Sequence, residues 1–148
     1  MQTSHTPAGD TAHEVLNQPP PLAGYNLYSQ DRALVEALGR EGASWAEERV
    51  VRLGGIVGGE PLAWGAQANA FPPSLRTHDR YGHRIDEVEF HPAWHELMRT
   101  AVSSEVHALP WREPRPGAHV ARAALFYLMA QVEAGHGCPI SMTYAAVP

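Results

Sequence analysis

The stretch from Gly117 to Gly135 constrains this chain most, because a helix written there would be apolar on nearly every side. Ala121, Leu125, Leu128 and Val132 recur at helical spacing on one face, while Ala124, Phe126, Tyr127 and Met129 leave little polar surface on the others. Such a helix is stable only when other elements enclose it. Three flanking segments read as helices able to do so. One is expected over 31–42, with Ser29 as N-cap, Gly42 closing it, and Leu34, Val35, Leu38 and Ala43 as its apolar stripe. A second, over 44–57, opens on the capping-box pattern Ser44-Trp45-Ala46-Glu47 and carries Trp45, Val50, Leu53 and Val57 to a stop at Gly58-Gly59. A third, over 92–104, starts at Pro92 and carries Trp94, Leu97, Met98 and Val102.

Weaker signals complete the outline. A short helix is expected after Pro61, towards Pro72-Pro73, and a proline-rich loop over 110–116. A last helix is expected from near Pro139, after Gly135-His136-Gly137. Residues 75–90 read as a β-hairpin, with the turn around Gly82, Asp86, Val88 and Phe90 on one strand face, and Glu87 and Glu89 on the other. The fold class is mainly α: a helical bundle with one β-hairpin insert.

At 148 residues, 44% of them hydrophobic and 18% charged, the chain has the size and composition of one globular domain. Residues 1–22 are polar and proline-rich, which predicts a flexible segment ahead of a folded domain over 23–148. A net charge of −5 disfavours sequence-independent nucleic-acid binding, which needs basic residues to neutralise phosphates. The eleven basic residues are all arginine, a bias that codon usage alone produces. The single cysteine, Cys138, rules out an internal disulfide and fits a reducing cytoplasm. The longest apolar run, between Arg122 and Gln131, falls short of the roughly 20 residues that span a bilayer, so no membrane partner is expected. Ile140, Met142, Tyr144, Ala145 and Val147 put much apolar surface near the C-terminus, so the chain is expected to be truncated short of whatever covers them.

Chemistry is sparse. His78, His83, His91 and His95 lie close together, and the four-residue spacing of the last two suits one helical face. Glu96 follows the second of them, however, so the general base of a His-Glu-x-x-His zinc site is missing. Structural or capping roles are expected for them, with no metal. Cys138 beside His136 is the closest nucleophile–base pair, and the thiol reads as a small buried apolar group. The pairs Gly54-Gly55 and Gly58-Gly59 have neither the preceding strand nor the Lys-Ser/Thr ending of a phosphate loop. Trp45, Trp64, Trp94 and Trp111 read as core anchors. Arg76, Arg80 and Arg84 are offset by Asp79, Asp86, Glu87 and Glu89, as on a solvated hairpin. No catalytic residue is expected.

An ordered series of residues nevertheless points to a family. It runs through Asn26-Leu27-Tyr28, Arg40-Glu41-Gly42-Ala43 with Trp45, and Pro72-Pro73 with Leu75-Arg76. It continues with Asp79, Gly82, Arg84, Asp86, Val88, the run from Phe90 to His95, and Leu97-Met98. It closes on residues 120–124, 131–135, Cys138-Pro139-Ile140 and Met142-Thr143. From about Asn17 onwards the chain resembles the N-terminal region of the AidB-like adaptive-response flavoproteins, the alkylation-resistance branch of the acyl-CoA dehydrogenase superfamily.

That resemblance implies a helical domain of the acyl-CoA dehydrogenase N-terminal type, from a three-part homotetrameric parent that carries FAD. It places flavin binding in the middle and C-terminal domains, DNA binding in the C-terminal region, and the superfamily's carboxylate base beyond this chain. The implied partners are those missing flavin domains, in the same or a separate chain, and further copies of the protein. By itself the chain is expected to bind no flavin and catalyse nothing, and whether the parent is a true dehydrogenase stays open. In the superfamily the helix after the Gly-Cys turn lines the acyl channel. Here Thr143 matches a lining threonine, and Met142 and Ala146 hold neighbouring positions, so these three are the implied substrate-binding residues. Residues 142, 143 and 146 would share one helical side, although ordinary packing against a missing domain would use the same side. A stand-alone helical module that covers or oligomerises a separate partner chain is the alternative.

Overall fold

A computed structural model of the protein describes residues 16–147. Most of the segment expected to be flexible, residues 1–15, lies outside the described residues; residues 16–22 are exposed and form neither helix nor strand. The described chain forms α1 (Arg32–Arg40), a 3-10 turn (Ser44–Ala46), α2 (Glu47–Val57) and α3 (Pro61–Ala70). It continues with β1 (Ser74–His78), β2 (Arg84–Glu89), α4 (Pro92–Ser103), α5 (Leu109–Arg112), α6 (Ala118–Val132) and α7 (Gly137–Ala145). It is a helical bundle with one antiparallel hairpin, as the apolar periodicities require.

The central apolar helix is α6, and α1, α2, α3, α5 and α7 all pack against it. Ala118, Ala121, Ala124, Leu125, Leu128 and Met129 are buried along it. Leu38 of α1, Val50, Leu53 and Val57 of α2, Ala101 of α4, Leu109 of α5 and Ile140 of α7 complete the core. Each of the large side chains contributes about 1.5–3 kcal/mol by leaving water. Tyr127 stays half exposed, and a groove of about 270 Å³ between α1 and α6 has an apolar lining that includes Leu34, Val120 and Ala123.

Close backbone approach explains the glycines of α2. The Tyr25–Tyr28 segment lies across that helix, with the Gly24 N–H donating to the Gly58 carbonyl at 2.7 Å and the Leu27 N–H to the Gly54 carbonyl at 3.1 Å. A Cβ on Gly58 would sit 1.6 Å from the Tyr25 carbonyl oxygen, so no larger residue fits there. Gly65 of α3 is used in the same way: a Cβ there would lie 2.3 Å from the Val132 carbonyl oxygen at the end of α6.

Several boundaries differ from the sequence expectation for physical reasons. The N-cap of α1 is Asp31, whose carboxylate accepts from the Leu34 N–H at 3.0 Å. Ser29 lies two residues ahead of that cap, in a local turn where the Asn26 side chain accepts from the Tyr28 and Ser29 N–H groups. Gly42, with φ +77°, does close α1: its N–H reaches the Gly39 carbonyl and that of Ala43 reaches Leu38.

The capping box at Ser44 does not form. Ser44 sits inside the 3-10 turn, Ala46 is the N-cap of α2 with no side-chain bond, and Glu47 accepts from the Tyr28 hydroxyl instead. The proline-rich loop contains α5, because Pro110 suits a first helical turn. The last helix starts at Gly137, two residues before Pro139.

The hairpin pairs Ser74 with Glu89, Leu75 with Val88, and Arg76 with Glu87, then shifts to pair His78 with Arg84. The extra residue on β2 is a bulge, and Asp86 takes a left-handed φ of +47°. Simple alternation of Asp86, Val88 and Phe90 therefore fails. Both strands are exposed throughout. At the turn, Gly82 has φ +85° and the Asp79 carboxylate accepts from the Tyr81 and His83 N–H groups. The His83 backbone bond leads in holding the Asp79 carboxyl below its ordinary range.

Candidate functional site

Of the implied binding residues, Met142 and Thr143 lie on α7 and Ala146 is its C-cap, and the placement of α7 begins in the turn before it. Glu133 ends α6 with its side chain folded back, accepting from the Gly135 N–H, the His136 N–H at 2.8 Å and the His136 ring Nδ1 at 2.9 Å. Because the carboxylate only accepts, Nδ1 carries the proton. His136 is 1% exposed and Glu133 8%. Burial pushes the Glu133 carboxyl up, but the His136 backbone and ring and the Gly135 N–H outweigh it and hold it below the ordinary glutamate range.

From this turn α7 runs with one face closed and one open. Gly137 and Ile140 are buried, and Tyr144 follows on the same side. Met142 is 65% exposed, Thr143 and Ala146 are exposed, and at 100° per residue the three fall on the opposite side of the helix. The structure thus brings the three residues together. Thr143 is not free to use its hydroxyl proton outward, since Oγ1 donates to the Pro139 carbonyl at 2.9 Å. The surface offers a thioether, two methyl groups and a hydroxyl oxygen, suited to apolar contact rather than to proton or electron transfer.

Sequence reasoning did not find the cluster behind that surface. The Tyr144 hydroxyl lies 2.7 Å from His119 Nδ1, and its ring stacks on Trp111 with centroids 5.5 Å apart. The Trp111 indole N–H donates to the Tyr144 carbonyl at 3.1 Å. The Arg122 guanidinium lies 4.1 Å from the Tyr144 ring centre and 4.6 Å from that of Phe126, while its Nε donates to the Val106 carbonyl. The residues are far apart in sequence, and only the His119–Arg122 spacing on α6 hinted at a shared face.

The other candidates resolve into structural roles. His91 is the N-cap of α4, its Nδ1 accepting from the Ala93 N–H, and it stacks on Phe71. His95 lies edge-on to Phe90 and Trp94. His83 bonds Asp79, and His78 bonds Thr77. Among the described residues no three His, Cys, Asp or Glu side chains gather as a metal site requires.

Cys138 is exposed, contrary to the buried thiol expected, because it sits on the outward side of the first turn of α7. The His136 ring beside it in sequence is turned inward, to Glu133. The tryptophans are peripheral rather than core: Trp45, Trp64 and Trp94 are partly buried and Trp111 is exposed, because each large ring covers the edge of the bundle. Trp45 Nε1 bonds the Pro116 carbonyl, with Arg115 over its ring. Two arginines of the hairpin are paired within it, Arg76 to Glu87 and Glu89, and Arg84 to Asp86.

A flavin pyrophosphate would need free backbone donors at a glycine turn or a helix start. Four candidate positions do not supply them. Gly54 and Gly58 are covered by the Tyr25–Tyr28 segment, and the N–H groups of Gly137 and Cys138 are bonded to the Ala134 and Gly135 carbonyls. No described helix is long and apolar enough to cross a membrane.

Comparison with known proteins agrees with this architecture. Residues 17–148 match the family described as the adaptive response protein AidB N-terminal domain. The chain is 52% identical over 138 residues to the putative acyl-CoA dehydrogenase AidB of Escherichia coli strain K12; the match takes in 92% of this chain but only 26% of that protein. Among solved structures it is similar to the apo form of Bd2924, with a TM-score of 0.74 and 25% identity over 86% of this chain and 26% of that one. It also shares the fold of Caenorhabditis elegans ACDH-11, solved in complex with C11-CoA, with a TM-score of 0.76 and 23% identity over 94% of this chain and 24% of that one.

Proposed function

The chain belongs to the AidB N-terminal domain family, and on that premise we propose that it forms one wall of an acyl pocket in an FAD-dependent, acyl-CoA-dehydrogenase-like protein of the adaptive response to DNA alkylation. The observation that carries this reading is the two-sidedness of α7. Its Ile140 and Tyr144 side is built into the bundle, while Met142, Thr143 and Ala146 face outward as an apolar strip with none of the described residues upon it. An exposed strip of that kind fits an apolar ligand or the domain that encloses it. The match spans 26% of the E. coli relative's length, so the remaining walls and the flavin belong to further domains, in the same or a separate chain. The flavin supplies the redox chemistry when bound there. The residues described here exclude water and shape the channel. Contacts to the flavin domains and to other copies of the protein belong to the same reading, and any DNA contact belongs to the C-terminal region.

The test supplies the missing domains and titrates a long-chain acyl-CoA. Met142→Trp fills volume that a close-packed channel cannot spare, and binding is expected to weaken by about tenfold or more while flavin absorbance is unchanged. Unchanged acyl-CoA binding in a folded variant would return the three residues to plain packing between domains.

A further inference from the structure

Tyr144 ties the C-terminal half of α7 to α5 and α6. Its ring is covered by Trp111 and by the Arg122 guanidinium, its hydroxyl meets His119, and its carbonyl receives the Trp111 indole N–H. That carbonyl is one of the last four of α7, which have no partner inside the helix. The indole therefore caps the C-terminal end of a nine-residue helix, a length marginal without tertiary support. The first turn has its own support in Glu133, His136 and Ile140.

Arg122 is an unusual participant. Among the described residues it has no ion-pair partner and one Nη atom is buried without a hydrogen bond, and burial pushes its guanidinium below the ordinary arginine range. Even a partly buried cation without a carboxylate beside it carries a desolvation cost. Two aromatic faces and the Val106 carbonyl are what offset that cost here. A surface arginine placed only for solubility would not be arranged in this way.

We infer that Tyr144 is a positioning residue: clamped by Trp111, His119 and Arg122, it fixes the rotation and the C-terminal end of α7, and so the direction in which Met142, Thr143 and Ala146 face. The clamp stands on the contacts alone; only its consequence for an acyl ligand rests on the pocket reading above. Among the described residues none restrains Met142, Thr143 or Ala146 towards the bundle, so a loosened Tyr144 would let that strip turn or fray.

Amide hydrogen exchange on the free chain tests this without any ligand, so its outcome is independent of whether the strip binds acyl groups. Tyr144→Ala is expected to speed exchange of the α7 amides about tenfold or more, with α2 and α6 amides unchanged. Tyr144→Phe keeps both ring contacts and should stay within about threefold of the parent chain. Trp111→Phe keeps a ring but loses the indole cap, and should loosen the last turn of α7 while leaving the amides near Ile140 protected. This last variant also decides the matter if Tyr144→Ala does not fold. Unchanged α7 exchange in Tyr144→Ala, exchange raised equally across α2 and α6, or Tyr144→Phe as fast as the alanine variant would each overturn the assignment. So would a last turn left intact by Trp111→Phe.

Discussion

Glu133 keeps a carboxylate where charge is costly, and three donors from Gly135 and His136 make it stable there. Glu133→Gln puts an amide NH₂ against at least one of those donors, and a loss of about 1–3 kcal/mol is expected in denaturant unfolding. The carboxyl is depressed in the folded state, so its contribution is complete above the ordinary glutamate value of about 4.3 and is lost as pH falls through the lower folded value. Melting curves should show the chain losing stability on acidification through that range, and the glutamine variant should lose less of it. A parallel pH profile in both proteins would dismiss the turn as the acid-labile point. Gly58→Ala tests a different residue-scale constraint. The new Cβ meets the Tyr25 backbone, which has no rotamer to escape by, so about 1–3 kcal/mol or more is expected, read as a lower urea midpoint at unchanged slope. Neither role was legible in sequence. Gly58 gave the same signal as a helix stop, which it also is, and Glu133 was a member of the family series without a stated purpose. Which backbone comes near a glycine, or which N–H groups lie near a carboxylate, is decided by tertiary contact.

The helices were legible because their signal is local. Leu34, Leu38, Val50, Leu53 and Leu97 repeat at helical spacing, and α1, α2, α4 and α6 appear within a few residues of expectation. Caps were less legible, since Ser29, Asp31 and Ser44 are all acceptable in type and only neighbouring hydrogen bonds choose among them. The implied strip on α7 was legible through the family resemblance together with its helical spacing. Its anchor was not, because Trp111, His119, Arg122 and Tyr144 come together from three helices. The hairpin was legible as a hairpin, yet its bulge was not, because a left-handed Asp86 has no clear local mark. Exposed throughout, β1 and β2 contribute little to the core, and a two-stranded unit is marginal alone. Removing residues 75–88 and joining Ser74 to Glu89, which already face each other, through a glycine should keep the helical circular dichroism. Stability should change by less than about 1 kcal/mol. Loss of cooperative unfolding would show that the insert braces the bundle.

At the scale of the whole molecule, the proposed function gives this bundle the shaping of the pocket and leaves the redox chemistry to a flavin held by further domains. It follows that the purified chain should be colourless, without flavin absorbance, and without turnover of acyl-CoA. The glycine positions at Gly54 and Gly58 and the turn into α7 at Gly137 are already committed to backbone contacts, so a flavin pyrophosphate finds no cradle there. The same division predicts self-association. The apolar groove lined by Leu34, Val120, Ala123 and Tyr127 and the α7 strip around Met142 are both open. Uncovered apolar surface of a few hundred Å² or more drives association. Absorbance and elution mass on a sizing column, read on one preparation, decide the matter. A yellow protein with near-stoichiometric flavin would sink the division of labour. A colourless chain eluting as a dimer or larger, and dispersed when the missing domains are added, is the expected result. A colourless, sharply monomeric chain indifferent to those domains would show that these surfaces need no cover and would favour a self-sufficient helical module.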